Sequence, residues 1–138
     1  MKFQKKLAVT ALFAALAAAS VVAQAQTVRI ANQGDALSMD PHSLNESLQL
    51  SVTSNVYEPL VGRNKDLSLA PALATSWKQI APTVWRFELR KGVQFHDGTP
   101  FTADDVVFSF ARMKGDGSDM MATNSDIKQV RKIDDHTV

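Results

Sequence analysis

The 138-residue sequence predicts a mixed fold of helices and strands, α/β in class and α+β in the local order of its elements. Trp85, Phe87 and Leu89 alternate with charged residues, which is the period of a half-buried antiparallel strand. Residues 46–57 and 102–113 instead repeat their apolar positions at helical spacing. The sequence contains no internal repeat and no long linker.

The first 25 residues have the composition of a secretory signal peptide. Its first six residues include three lysines, and residues 7–22 are apolar, rich in alanine and free of charge. The tripeptide AQA at residues 23–25 places small residues where a signal peptidase recognises them, so we expect cleavage after Ala25. A transmembrane anchor is the alternative, but the apolar run is short for a span and alanine partitions weakly into lipid.

The charge and the cysteine content exclude several classes of protein. The leader contributes three lysines and no acid to totals of 15 basic and 14 acidic residues, which leaves 12 basic and 14 acidic residues and a formal net charge of −2. There is then no basic excess to attract nucleic acid or anionic lipid. The absence of cysteine excludes disulfides, a cysteine nucleophile and the lipid attachment of a bacterial lipoprotein. We therefore expect an exported protein, unanchored, in the periplasm of a Gram-negative bacterium.

After the leader, the pattern predicts a strand, a helix and a second short strand. The first strand covers residues 27–31, where apolar and polar residues alternate. The helix covers residues 46–57 and ends before Pro59, because a residue that precedes proline avoids helical geometry. The second strand is Leu60-Val61, and residues 64–66 form a turn.

Beyond residue 67 the chain is richer in strand patterns. The predicted elements up to residue 95 are a helical turn at 71–74 and strands at 76–80, 85–89 and 93–95. A helix follows from Thr102, and its apolar stripe consists of Val106, Val107, Phe110 and Met113. A strand at 127–133 and the start of a further strand at 137–138 complete the predicted order. Thr102 is suited to cap its helix, and Asp104 and Asp105 lie in the first turn, where the helix dipole favours acids.

Five short motifs follow one another in the order typical of a known family. They are SMDPH at 38–42, YEPLV at 57–61, LAPALA and SW within 69–77, WRFELRKGVQFHDG at 85–98 and PFTADDVVFS at 100–109. Each is weak alone, but together they extend over nearly all of residues 27–138. The chain resembles the extracellular solute-binding proteins of ABC importers, in family five, which serves peptides, nickel and related solutes.

This resemblance implies a two-lobed periplasmic-binding-protein fold, class II-like, with a small domain inserted in the first lobe. Residues 26–66 would begin lobe one and residues 67–138 would form an incomplete inserted domain. The chain would be an N-terminal fragment without the second lobe. The implied function is capture of short peptides and delivery to an ABC permease in the inner membrane, by a monomer. Nickel, glutathione or another small solute are alternatives. An exported hydrolase is a further alternative, although the sequence has no G-x-S-x-G and no H-E-x-x-H motif.

The resemblance also maps possible ligand contacts. The loop after the SMDPH motif reaches the cleft in the family, which corresponds here to Asn45, Glu46 and Ser47. A helix cap explains Asn45 equally well, and a cap or a solvated position is the favoured explanation of Glu46 and Ser47. A second contact maps to Met120 and Met121, whose presence in an exposed loop would also need no ligand.

No catalytic group, cofactor or metal site is predicted. The three histidines are neither four residues apart on a helix nor accompanied by cysteine, so they do not have the spacing of metal ligands. The aromatic residues Trp85, Phe87 and Phe95 are assigned to the core and not to a ligand platform.

Overall fold

The computed structural model describes Thr27 and residues 29–138. Contacts divide the chain into the units Met1–Asn32 and Gln33–Val138, and every element below belongs to the second unit. The predicted leader and its cleavage site lie outside the described residues. The predicted strand at 27–31 is wrong, because Thr27 and residues 29–31 are in no strand and pair with no strand among the described residues. A strand needs a neighbour to accept and donate its backbone hydrogen bonds.

Helix α1 covers Ser47–Thr53 and is shorter than the predicted helix at 46–57. It ends in a tight turn, in which the N–H of Asn55 donates to Val52 and that of Val56 to Thr53. Its buried face carries Gln49 and Thr53. The buried side chains of the helix are therefore polar, and the groups to which they hydrogen-bond are the parts of the chain that the helix fixes.

The first hairpin pairs β1, Val61–Arg63, with β2, Leu69–Pro71, and Val61 lies opposite Pro71. The predicted helical turn at 71–74 is wrong. The N–H groups of Leu73 and Ala74 donate to the carbonyls of Pro59 and Leu60, at 3.1 and 2.8 Å, so the chain bends at residues 72–73 and pairs with the segment before β1 instead of forming a helical turn. Proline at the end of an edge strand leaves no ladder donor missing, which permits this arrangement.

The second hairpin pairs β3, Ala74–Ala81, with β4, Val84–Leu89. The free edge of β4 is occupied by the end of the chain: the N–H of Phe87 donates to the Val138 carbonyl at 2.9 Å, and that of Val138 donates back to Phe87 at 3.1 Å. Where a strand was predicted to begin, at 137–138, the chain forms an isolated antiparallel bridge between Thr137 and Glu88 and not a longer strand. The strand predicted at 127–133 is absent, because the N–H of Ile133 turns back to Thr137 at 2.9 Å and does not join the sheet.

Helix α2 covers Ala103–Arg112, as its periodicity predicts. Thr102 precedes it, and the carboxylate of Asp105 accepts the N–H of Thr102 at 2.7 Å and its hydroxyl at 3.2 Å. This closes the first turn and satisfies a backbone donor that the helix leaves unpaired. Val106 is buried in the predicted apolar stripe, whose other members are partly buried.

The core lies between α2 and the end of the second hairpin. Its buried apolar residues are Leu89, Phe101, Ala103 and Val106, with Leu60, Leu73, Val93, Phe110, Val130 and Val138 packed partly buried around them. None of the three aromatic residues assigned to the core belongs to this cluster. Trp85 is 52% exposed, opposite Gln79 near the hairpin turn, and Phe87 is partly buried. Phe95 is about half exposed and meets Phe101 edge to face, at 6.2 Å between ring centroids. The predicted strand at 93–95 is reduced to one bridge, Gln94 to Pro100.

Candidate functional site

The SMDPH segment forms a turn that is stabilised by its own side chains. The N–H of His42 donates to Asp40 Oδ1 at 2.9 Å, and the N–H of Asp40 donates to the Ser38 hydroxyl at 3.0 Å. The Ser43 hydroxyl donates to the Asp40 carbonyl at 3.0 Å. The short side chains of serine and aspartate thus supply the turn's hydrogen bonds locally, as they commonly do outside helices and strands.

Helix α1 holds the beginning of this turn. The buried Gln49, 1% exposed, donates through Nε2 to the Ser38 carbonyl and accepts the N–H of Leu37 at 3.2 Å. The Tyr57 hydroxyl donates to the Met39 carbonyl at 2.9 Å. Because a buried amide must satisfy both its donor and its acceptor, the segment before the turn is fixed to one face of α1.

Arg112, in the last turn of α2, holds the same turn from the other side. Its guanidinium binds both carboxylate oxygens of Asp40, with Nη1 2.8 Å from Oδ1, and Nη1 also lies 2.8 Å from Nδ1 of His42. Hydrogen bonds from Arg112 and then from the His42 N–H lower the pKa of Asp40. Burial and then the charge of Arg112 lower the pKa of His42. A neutral His42 accepts from the guanidinium, so the ion pair and the imidazole share one arginine.

The three predicted contacts at 45–47 have three different environments. Glu46 is the N-cap of α1, since its carboxylate accepts the N–H of Gln49 at 2.7 Å and that of Leu48 at 3.3 Å. Ser47 is exposed in the first turn of α1. Asn45 does not cap the helix and binds a distant loop instead.

That distant loop, residues 113–125, contains the other predicted contacts, Met120 and Met121. It includes a short 3-10 helix, Ala122–Asn124. Asn124 is buried, and its amide donates to the Met120 carbonyl at 3.0 Å and to the sulfur of Met113 at 2.9 Å. Met120 is partly buried and Met121 is half exposed. Asn124 thus gives the loop an internal polar anchor, while Met121 remains accessible.

The two predicted regions are neighbours in the structure, although 74 residues separate the atoms that join them. The Asn45 N–H donates to Asp119 Oδ2 at 3.0 Å, and its side-chain amide donates to the Thr123 hydroxyl at 3.3 Å. The N–H of Asp119 donates to the His42 carbonyl at 2.9 Å. The sequence interpretation missed Asp119 and Thr123, because a polar residue in a loop rich in Gly, Asp and Ser has no pattern that sets it apart.

An open depression of about 650 Å³ lies beside this junction. It is lined by Lys114, Ser118, Asp119, Met121, Ala122, Asn124 and Ser125. The lining carries two charged groups, the Lys114 ammonium, which donates to the Ile127 carbonyl, and the Asp119 carboxylate, which accepts the Asn45 N–H. Serine hydroxyls and the Met121 thioether complete it. Such a surface offers hydrogen bonds and one charge of each sign to a polar molecule.

Within Thr27 and residues 29–138, no three His, Cys, Asp or Glu side chains come close enough to hold a metal ion. The same residues contain no helix with the length and apolar character needed to cross a membrane.

Comparison with known proteins gives consistent similarities. The family described as bacterial extracellular solute-binding proteins, family 5 Middle, matches residues 68–138. The periplasmic oligopeptide-binding protein OppA of Escherichia coli K12 is 35% identical over 102 residues, which are 74% of this chain and 19% of OppA.

Two solved structures are similar over three quarters of the chain. NikZ from Campylobacter jejuni, in complex with Ni(L-His), superposes with a TM-score of 0.66 at 28% identity and covers 75% of this chain and 21% of its own. The binding protein DppA from Helicobacter pylori, in complex with the peptide STSA, gives a TM-score of 0.62 at 32% identity, over 75% of this chain and 24% of its own. The chain therefore spans about a fifth to a quarter of the length of these relatives.

Proposed function

Because the chain belongs to the bacterial extracellular solute-binding proteins of family 5, we propose that the protein captures short peptides and delivers them to an ABC permease in the inner membrane. The family consists of solute-binding proteins and not of enzymes. The observation that carries the proposal is the 35% identity to an oligopeptide-binding protein over 74% of the chain. The similarity to a structure with a bound peptide supports the same ligand class.

In this proposal, Asn45, Ser47, Met120 and Met121 contribute to the ligand surface, together with the depression beside Asp119. The hydrogen-bonding groups there are suited to the backbone of an extended peptide, whose amides are the same in every sequence. Glu46 acts indirectly, because its carboxylate already accepts the first N–H groups of α1. A ligand held in this way would be selected by backbone length and ends more than by its side chains.

The architecture that the proposal assumes is that of the family. Residues 26–66 begin the first lobe, residues 67–138 belong to a domain inserted in it, and a second lobe supplies the opposite wall of the cleft. Closure around the ligand is then a population shift toward a state in which both walls contact the peptide.

The proposed location is the periplasm, with residues 1–25 removed after Ala25 and the mature monomer free of the membrane. The family relatives support this, since OppA of Escherichia coli is described as periplasmic. Sequencing the N-terminus of the exported protein is expected to give Gln26 as the first residue. An intact Met1 on a membrane-bound chain would contradict the cleavage.

Native mass spectrometry of the protein purified from the periplasmic fraction tests the ligand. We expect added masses that fragment as peptides of two to a few residues, and we expect them to be exchanged by added trialanine. A nickel chelate or glutathione in their place would support the alternative solutes of the same family. Consumption of an added peptide by the purified protein would support the exported hydrolase and contradict a transport function.

A further inference from the structure

We infer that Asp119 is a positioning residue, which fixes the two ligand loops relative to each other without needing to touch the ligand. The effect of Asp119 on peptide affinity rests on the proposed function, whereas the contact between the two loops can be tested without a ligand. The two loops are residues 42–46, before α1, and residues 118–125, after α2.

Asp119 joins these loops through two separate groups. Its N–H donates to the carbonyl of His42 at 2.9 Å, and its Oδ2 accepts the N–H of Asn45 at 3.0 Å. Both partners lie in the segment that leads into α1. Asp119 therefore bridges two points of one loop from a single position on the other, which determines orientation as well as distance.

Asn45 and Thr123 complete the connection. The side-chain amide of Asn45 donates to the Thr123 hydroxyl at 3.3 Å, one turn beyond Asp119. No α-helix or β-strand spans the two loops, whose elements α1 and α2 are separated by both hairpins in the chain. Their relative position at this point depends on the backbone bond from Asp119 to His42, on the Arg112 contacts to the turn before it, and on the two side-chain bonds. Of the two side-chain bonds, the one to the Asp119 carboxylate is charge-assisted and the stronger.

The contact between Asp119 and Asn45 lies at the surface, so it should affect the order of the two loops more than the free energy of unfolding. The Asp119 carboxylate and the Asn45 N–H are both exposed, so water replaces either partner when the bond is removed. The unfolding transition should then change little. The loops would gain freedom, however, and a ligand that needs both would have to order them when it binds, which lowers its affinity.

The experiment compares Asp119→Ala with Asp119→Asn, which retains an oxygen acceptor, and with Asp116→Ala as the matched control. Asp116 is exposed in the segment between α2 and the second loop, and its side chain makes no hydrogen bond with any described residue. Amide hydrogen exchange, measured by NMR on the full chain without ligand, reports the Asn45 N–H directly. We expect Asp119→Ala to accelerate exchange at Asn45 about tenfold, and Asp119→Asn and Asp116→Ala to change it less than about threefold.

Trialanine affinity, measured by calorimetry on the same proteins, supplies the second readout. We expect an affinity about tenfold lower for Asp119→Ala, restored to within about threefold of the unmodified chain by Asp119→Asn. Unchanged exchange at Asn45 in Asp119→Ala overturns the inference, and so does accelerated exchange with unchanged trialanine affinity. A chain that shows the exchange effect but does not bind trialanine contradicts peptide binding and still supports the contact between the loops.

Discussion

Replacement of Leu89 by alanine tests whether the cluster beside α2 holds residues 33–138 together. Leu89 is 3% exposed and packs with Phe101, Ala103 and Val106. The substitution removes three carbons, which at about 0.8 kcal/mol for each buried methylene corresponds to about 2.4 kcal/mol. A cavity of about 60 Å³, left open, adds about 1.4 kcal/mol. We expect the free energy of unfolding to fall by about 2.5 to 4 kcal/mol, since the backbone bond from the Leu89 N–H to His136 is retained.

Leu69→Ala is the matched control, because Leu69 carries the same side chain on β2 and is 55% exposed. Its cost should stay below about 1 kcal/mol. Urea denaturation, followed by the fluorescence of Trp77 and Trp85 in the second hairpin, measures both variants. Equal losses for the two leucines, or a loss below about 1 kcal/mol for Leu89→Ala, would refute the assignment of Leu89 to the core.

Three further substitutions test the contacts around the turn and α2. Burial, and then the charge of Arg112, lower the pKa of His42 in the folded state below its ordinary value of 6.5. The folded state then binds fewer protons than the unfolded state, so this contribution to stability is complete above pH 6.5 and is lost as the pH falls toward the folded pKa. The melting temperature should therefore drop between about pH 7.5 and about pH 5.5. The melting temperature of His42→Gln should depend less on pH than that of His96→Gln, in which the replaced histidine is exposed. An equal dependence of the melting temperature on pH in the two variants would contradict a role of His42. Gln49→Leu should reduce the free energy of unfolding by about 1 kcal/mol, because the Ser38 carbonyl and the Leu37 N–H lose their hydrogen bonds, and an unchanged urea midpoint would contradict this. Asp105→Ala should cost about 1 kcal/mol through the loss of the Thr102 contacts, whereas Asp116→Ala should cost almost nothing; equal melting temperatures for the two variants would show that the cap does not stabilise α2.

Periodicity predicted the elements whose partners are close in the chain. The alternation of Trp85, Phe87 and Leu89 identified β4, and the caps and apolar stripe identified α2, because each pattern reports the geometry of its own segment. The predicted strands at 27–31 and 127–133 had the right residue types but no strand partner among the residues that the structure describes. Alternation in one segment cannot specify which strand lies beside it. The segment after Pro71 was misread because proline is compatible both with a first helical turn and with the end of an edge strand.

The site was predictable only in part, for a physical reason. The resemblance predicted Asn45 and Met120 as ligand contacts, which stays a prediction, and the structure places their loops together. The groups that join them, Asp119 and Thr123, make contacts across more than 70 residues of sequence, between loops without a periodic pattern. The contact of Glu46 is local, because its carboxylate caps the helix that begins at the next residue. It was nevertheless hard to predict, because glutamate is not among the residue types that caps ordinarily favour.

Titration of the isotopically labelled full chain with trialanine, followed by NMR, tests the central claim most directly. The claim is that the loops at 45–47 and 118–125 together form a surface that binds short peptides. We expect saturable changes in amide chemical shift, concentrated at residues 45–47 and 119–124, at trialanine concentrations up to about 1 mM. Saturable shifts confined to other parts of residues 33–138, or no shifts at all, would contradict the claim.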